Sequence, residues 1–135
     1  MNVFKDIEEA RSYFSDDRFA MDNGMRISEL DEKHCTCVMG IEEKHKNALG
    51  KVMGGAIFTL ADLAFSVIAN DAHVPTLSLD ADIRFLSNTS EGTLYARAEC
   101  VKEGKKISIY EVKVSDGEKN IALVTFTGYH LDNGS

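Results

Sequence analysis

Residues 54–70, GGAIFTLADLAFSVIAN, are almost wholly apolar. A run of this length is too long for a typical strand. It suits a helix that is covered on most of its sides. The residues after Pro75 change period. Leu77, Leu79, Ala81, Ile83 and Phe85 alternate with Ser78, Asp80, Asp82 and Arg84, which predicts a strand with one buried face. Further strands are expected over 93–103, 106–115 and 120–131. Between them lie Glu103-Gly104-Lys105 and Asp116-Gly117-Glu118, with glycine where tight antiparallel turns need it. Ahead of the apolar run, 25–31 and 34–41 read as two strands around Asp31-Glu32-Lys33, and 43–53 lacks a period and reads as a loop. Phe4, Ile7, Ala10 and Phe14 have helical spacing. Asp6, Glu8 and Glu9 suit the positive end of that helix. The expected fold class is α+β, a curved antiparallel sheet wrapped around a long central helix, as one domain over 1–135.

Composition narrows the function. The chain has 135 residues, 15 Lys plus Arg against 22 Asp plus Glu, and a formal charge of −7. This length suits one domain able to bury a core without disulfides or metals. The acidic balance argues against nucleic acid as a partner. No apolar run reaches the 18 or so residues of a membrane span, and the N-terminus lacks a signal layout. A cytoplasmic location with no membrane partner is therefore expected. Three cysteines, an odd number, fit a reducing compartment. Cys35 and Cys37 share one face of a strand and read as small buried hydrophobes. No metal or other cofactor is expected.

The apolar helix carries the polar groups of interest. Thr59, Asp62, Ser66 and Asn70 are 3, 4 and 4 residues apart, so they form one narrow stripe. Gly54-Gly55 opens the helix. The first N–H groups of a helix lack internal partners and carry the positive dipole end, and glycine lets a ligand approach them. Such a pair cradles an oxygen that becomes negative; it also suits a tight loop-to-helix turn. Asp62 in apolar surroundings reads either as a structural carboxylate bonded to a loop or as a base or nucleophile facing a cleft. It lies eight residues beyond Gly54, about 12 Å along the axis. If the two act together, Asp62 must come from a second copy of the chain, giving two equivalent sites across a two-fold axis.

The stretch from Asn47 through Gly50, Gly54, Gly55, Leu60 and Ala61 to Asp62 resembles the motif N-x-x-G-x-x-H-G-G-x-x-x-x-L-A-D. That motif marks hotdog-fold acyl-CoA thioesterases of the phenylacetate-degradation (PaaI-like) type. Leu77–Leu86, Gly92–Ala96 and Glu103–Lys106 resemble later strands and turns of the same family. The resemblance implies a hotdog fold and hydrolysis of an aryl- or fatty-acyl-CoA to free acid and coenzyme A. It implies that the Gly54 amide polarises the thioester carbonyl, assisted by Asn47. It further implies that Asp62 of the partner subunit acts as base or nucleophile, and that Ser78 helps orient water. Gly55, Ser66 and Met53 would line the substrate. Lys102, Lys105, Lys106 and Arg84 are the candidates for the nucleotide phosphates. Met53 stands where the family has His, and it has no comparable donor; a protein that binds acyl-CoA without catalysis is the alternative. The absence of His near Asp62 counts against a hydratase or dehydratase. His45 is expected to face solvent, and His73 and His130 have no motif support. A homodimer or homotetramer is expected, and apolar residues on both faces of 106–115 and 120–131 favour the tetramer or a larger interface.

Overall fold

A computed structural model describes residues 2–131. The long helix, α3, spans Gly54–Ala72 and buries Leu60, Ala61, Leu63, Ala64, Phe65, Val67 and Ala69. Two short helices precede it, α1 (Ile7–Phe14) and α2 (Arg18–Asp22). So do strands β1 (Met25–Leu30) and β2 (His34–Gly40) and a 3-10 turn at Glu43–His45. Strands β3 (Thr76–Phe85), β4 (Thr93–Lys102), β5 (Ile107–Ser115) and β6 (Asn120–His130) follow. They form one six-stranded antiparallel sheet in the order β1-β2-β4-β5-β6-β3. This is the α+β architecture expected, a sheet folded around a central helix.

Period-2 burial explains why these strands face α3. On β4, Leu94, Ala96 and Ala98 are buried; on β5, Tyr110, Val112 and Val114; on β6, Val124 and Phe126. Small residues on β2 and β4, with Cys35 and Cys37 among them, make room for the helix. The two thiols are buried with sulfurs 3.9 Å apart, as core residues. Phe65 anchors the middle of α3. Its ring stacks on Phe126 at 4.5 Å and meets Tyr110 edge-on at 5.5 Å. Gly128 permits this, because a Cβ there would lie 3.3 Å from the Phe65 ring and 3.1 Å from Thr76 Cγ2. Truncating such a ring costs about 3–5 kcal/mol.

Four expectations need correction. The first helix starts at Ile7 rather than Phe4, because the Asp6 carboxylate caps it by accepting the Glu9 N–H at 2.9 Å. Phe4 is still buried, and its N–H donates to Asp71 Oδ1 at 3.0 Å. By length and composition α3 is apolar enough to cross a membrane, so the length argument against a span fails; its composition is that of a helix buried within the sheet. His45 is 2% exposed rather than solvent-facing. Finally, β3 has no well-buried face. Leu77, Leu79 and Phe85 are 58%, 60% and 54% exposed, since β3 is the last strand beyond β6 and its register shifts between Ser78 and Asp80.

Candidate active site

The loop before α3 is built around Asn47. Its Oδ1 accepts the N–H groups of Leu49 and Lys51 at 2.9 and 3.1 Å. Its own N–H donates to the Lys51 carbonyl at 2.7 Å. With the oxygen held by the loop, the Nδ2 amide is the group left to face a ligand. The loop then delivers Met53 as N-cap, without a side-chain capping bond. The Met53 N–H donates to the His45 carbonyl at 2.8 Å. Among the described residues, the N–H groups of Gly54 and Gly55 have no acceptor, so the positive end of the helix is open.

Asn47, Lys51, Gly54, Ile57, Phe85 and Asn88 belong to the lining of one cavity of about 420 Å³. A Cβ on Gly54 would sit 3.0 Å from Phe85 Cζ. Any side chain there would push the Phe85 ring away from the helix N-terminus. The cavity therefore presents amide-type donors, Gly54 N–H and Asn47 Nδ2 among them, and one cation, Lys51, to an oxygen-bearing ligand.

His45 is fixed on both ring nitrogens. Nδ1 accepts the Glu42 N–H at 2.9 Å, so the proton sits on Nε2, which donates to the Asn23 carbonyl at 3.1 Å. This histidine ties the loop carrying Met53 to the end of α2. Its burial was invisible because 43–53 has no hydrophobic period.

Asp62 faces a different cavity, of about 300 Å³, shared with Asp17, Phe19, Phe58 and Thr59. Among the described residues its carboxylate has no hydrogen bond or ion pair. Burial pushes the carboxyl above its ordinary range, and the neighbouring Asp17 adds to the rise. The loop-bonded structural role for Asp62 is therefore not realised. Two of the other three members of the stripe, Thr59 and Asn70, have engaged side chains. Thr59 donates to the Gly55 carbonyl at 2.7 Å. Asn70 donates to the Ser66 and Thr76 carbonyls and accepts the Thr76 N–H. Ser66 is half-buried beside them.

The structure thus gathers Asn47, Gly54 and Gly55 at one end of α3 and leaves Asp62 about 12 Å away along the helix. Ser78 and Arg84 are exposed on β3, with Arg84 3.8 Å from Asp82. Lys105 and Lys106 sit at the far end of the sheet within one chain. The Lys106 carbonyl accepts the His130 N–H, His130 pairs with Thr76 at the start of β3, and Phe85 ends that strand about 30 Å away at the strand rise. Lys51, inside the recognised stretch, is the basic residue at the Gly54 cavity and was missed. Asp17 and Phe19 were also missed, because no periodicity signals the five-residue α2.

Comparison with known proteins agrees with this geometry. The thioesterase superfamily matches residues 49–122, a span that includes Gly54, Gly55 and Asp62. A protein of Archaeoglobus fulgidus, provisionally named an esterase, is 31% identical over 129 residues, covering 93% of this chain and 84% of that one. Acyl-coenzyme A thioesterase PaaI of Escherichia coli is 28% identical over 118 residues, covering 86% and 84%. The solved structure of the E. coli PaaI protein from the phenylacetic acid degradation operon matches with a TM-score of 0.86 at 25% identity, over 91% of each chain. With more than half the chain matched, this protein belongs to the thioesterase superfamily, as a thioester hydrolase with the PaaI-like hotdog fold.

Proposed function

We propose that the chain hydrolyses the thioester of an aryl- or fatty-acyl-CoA, in sites shared by two copies. The observation that carries this reading is the separation just described: open amides in one cavity, an unengaged carboxyl with a raised pKa in another, and about 12 Å of helix between them. Two α3 helices side by side and antiparallel bring Asp62 of the partner subunit to the Gly54 end. The edge strand β3, which exposes Leu77 and Leu79, supplies a surface for a second copy.

In that site the thioester carbonyl accepts from the Gly54 N–H and from Asn47 Nδ2. Asp62 takes a proton from water, whose oxygen attacks the carbonyl carbon. The developing oxyanion is held by the two donors. Collapse breaks the C–S bond, the thiolate of coenzyme A leaves and takes a proton, and the acid is released. Ser78, exposed on β3, is proposed to hold the water. Lys51 is the nearest cation for coenzyme A, with Lys105, Lys106 and Arg84 contributing only if dimerisation brings them near.

A second reading rests on Met53, which is 53% exposed beside Gly54 and offers no proton: the chain binds acyl-CoA with little turnover. A panel of aryl- and fatty-acyl-CoAs with product analysis separates the two. Release of free coenzyme A that is lost in Asp62→Asn supports hydrolysis; tight binding with no release supports the second reading. A monomeric mass in solution would remove the shared site.

A further inference from the structure

A second cavity lies against the one that holds Asp62. It measures about 380 Å³ and reaches inward along α3 to Met25, His45, Met53 and Gly55. Phe19, Phe58 and Thr59 line both cavities, so the two form one groove between α2 and α3. From Asp62 to Gly55 it spans about 10 Å of helix.

Among the described residues, each hydrogen-bonding side chain of the inner chamber makes at least one protein hydrogen bond. Both nitrogens of His45 are bonded, Thr59 donates to Gly55, Asn23 Nδ2 donates to the Phe19 carbonyl, and Lys44 donates to the Asp22 carbonyl. Apart from the open Gly55 N–H and the exposed Lys44 ammonium, its surface is thioether and aromatic, from Met25, Met53 and Phe58, which adapts to apolar ligands. The two shared rings differ. Phe58 is held by Phe126, 5.6 Å away. Phe19 is 69% exposed on a five-residue helix and, among the described residues, stacks on no other ring.

We infer that this groove takes the apolar acyl chain of the substrate, and that Phe19 sets how long a chain it admits. The inference rests on the thioesterase reading and extends it. The acyl group enters beside Asp62, so the copy that supplies the base also supplies the acyl groove, while the other copy supplies the amides for the carbonyl. Short acyl and aryl groups fill the outer chamber. A longer chain must pass under Phe19 to reach the methionines.

The test compares wild type, Phe19→Ala and Phe19→Trp across straight-chain acyl-CoAs from butyryl to myristoyl. The ratio of kcat/KM for myristoyl over butyryl rises about tenfold in Phe19→Ala, the worth of burying two further methylenes, and falls in Phe19→Trp. Affinities for non-hydrolysable S-alkyl-CoA thioethers of the same lengths, measured by calorimetry, shift in the same order. This second readout works without turnover. A wild type that cleaves no thioester therefore sinks the thioesterase reading while the thioethers still decide the groove. Length preference unchanged in both variants overturns the inference, as does dissociation of the oligomer in Phe19→Ala, which would make the groove a contact between copies.

Discussion

The two ends of α3 carry polar groups in equally apolar surroundings and treat them in opposite ways. At the C-terminal end Asn70, Thr76, His130 and Ser108 are all engaged. Asn70 donates to the Ser66 carbonyl at 2.8 Å and the Thr76 carbonyl at 3.2 Å, and accepts the Thr76 N–H at 2.8 Å. The Thr76 hydroxyl donates to the His73 carbonyl, so its oxygen accepts the His130 Nδ1–H at 2.8 Å. That leaves Nε2 to accept from Ser108 Oγ at 2.8 Å, and Ser108 in turn accepts the Gly104 N–H at 3.1 Å. At the N-terminal half the Gly54 and Gly55 amides, Asn47 Nδ2 and the Asp62 carboxyl have no protein partner among the described residues. A closed network holds β3, β5 and β6 to the helix; open groups are available to a substrate.

The largest test of that contrast is Asp62→Asn. Loss of a general base lowers kcat/KM by about 10³-fold. Burial, with Asp17 second, raises the Asp62 carboxyl. The charged form is therefore disfavoured in the folded protein above the unfolded value of 3.8. Removing the charge is expected to leave the melting temperature at neutral pH unchanged or higher. Steady-state kinetics and a thermal melt on the same preparation check both. A variant that keeps its activity, or that melts several degrees lower, would move Asp62 to the closed class.

Asn47→Asp is the next largest. The substitution keeps an oxygen to accept the Leu49 and Lys51 N–H groups and replaces only the amide donor. A carboxylate then faces the developing oxyanion, and kcat/KM falls about 10²-fold with the fold intact by circular dichroism. An equal loss of activity and stability would mean that Asn47 serves the loop alone.

The contrast also marks what could be read before the structure was known. The apolar run and the period-2 segments placed α3 and β3 to β6, because a helix face and a strand face are local patterns. Asp62 and Asn70 looked alike, two polar residues on one stripe. Only the arrival of Thr76 beside Asn70, through chain reversal, made one structural and left the other open. The exposure of β3 was hidden for a related reason: alternation shows that a face wants cover, not whether the same chain provides it. Lys105 and Lys106 stand out in the sequence for local charge density, but sheet topology places them about 30 Å from the Gly54 cavity.

At the closed end, Asn70→Ala strands the buried Thr76 N–H and removes three hydrogen bonds. The expected cost is about 2–3 kcal/mol of unfolding free energy, with kcat/KM changed less than threefold. Urea denaturation and kinetics on the same preparation check this. A tenfold fall in kcat/KM without loss of stability would put the C-terminal end into the site.

The smallest effect is the pH response of that network. His130 is pulled below its ordinary value of 6.5 by burial first and by the His73 ring second, while Glu103 opposes the shift. His73, 4.7 Å away, is its ring neighbour, and Glu103 lines the small cavity beside it. A depressed folded-state pKa means that the unfolded chain binds the proton more readily. The contribution is therefore fully present above about pH 6.5 and is lost as pH falls through the folded value. Protonation at Nε2 replaces an acceptor with a donor, and Ser108 must turn its hydroxyl away from the ring. Unfolding free energy measured between about pH 7.5 and 5.5 should fall in wild type and fall less in His130→Gln. Glu103→Gln should steepen the wild-type loss, because it removes the one neighbour that favours the proton. Equal slopes in wild type and His130→Gln would show that this histidine does not report the closure of the network.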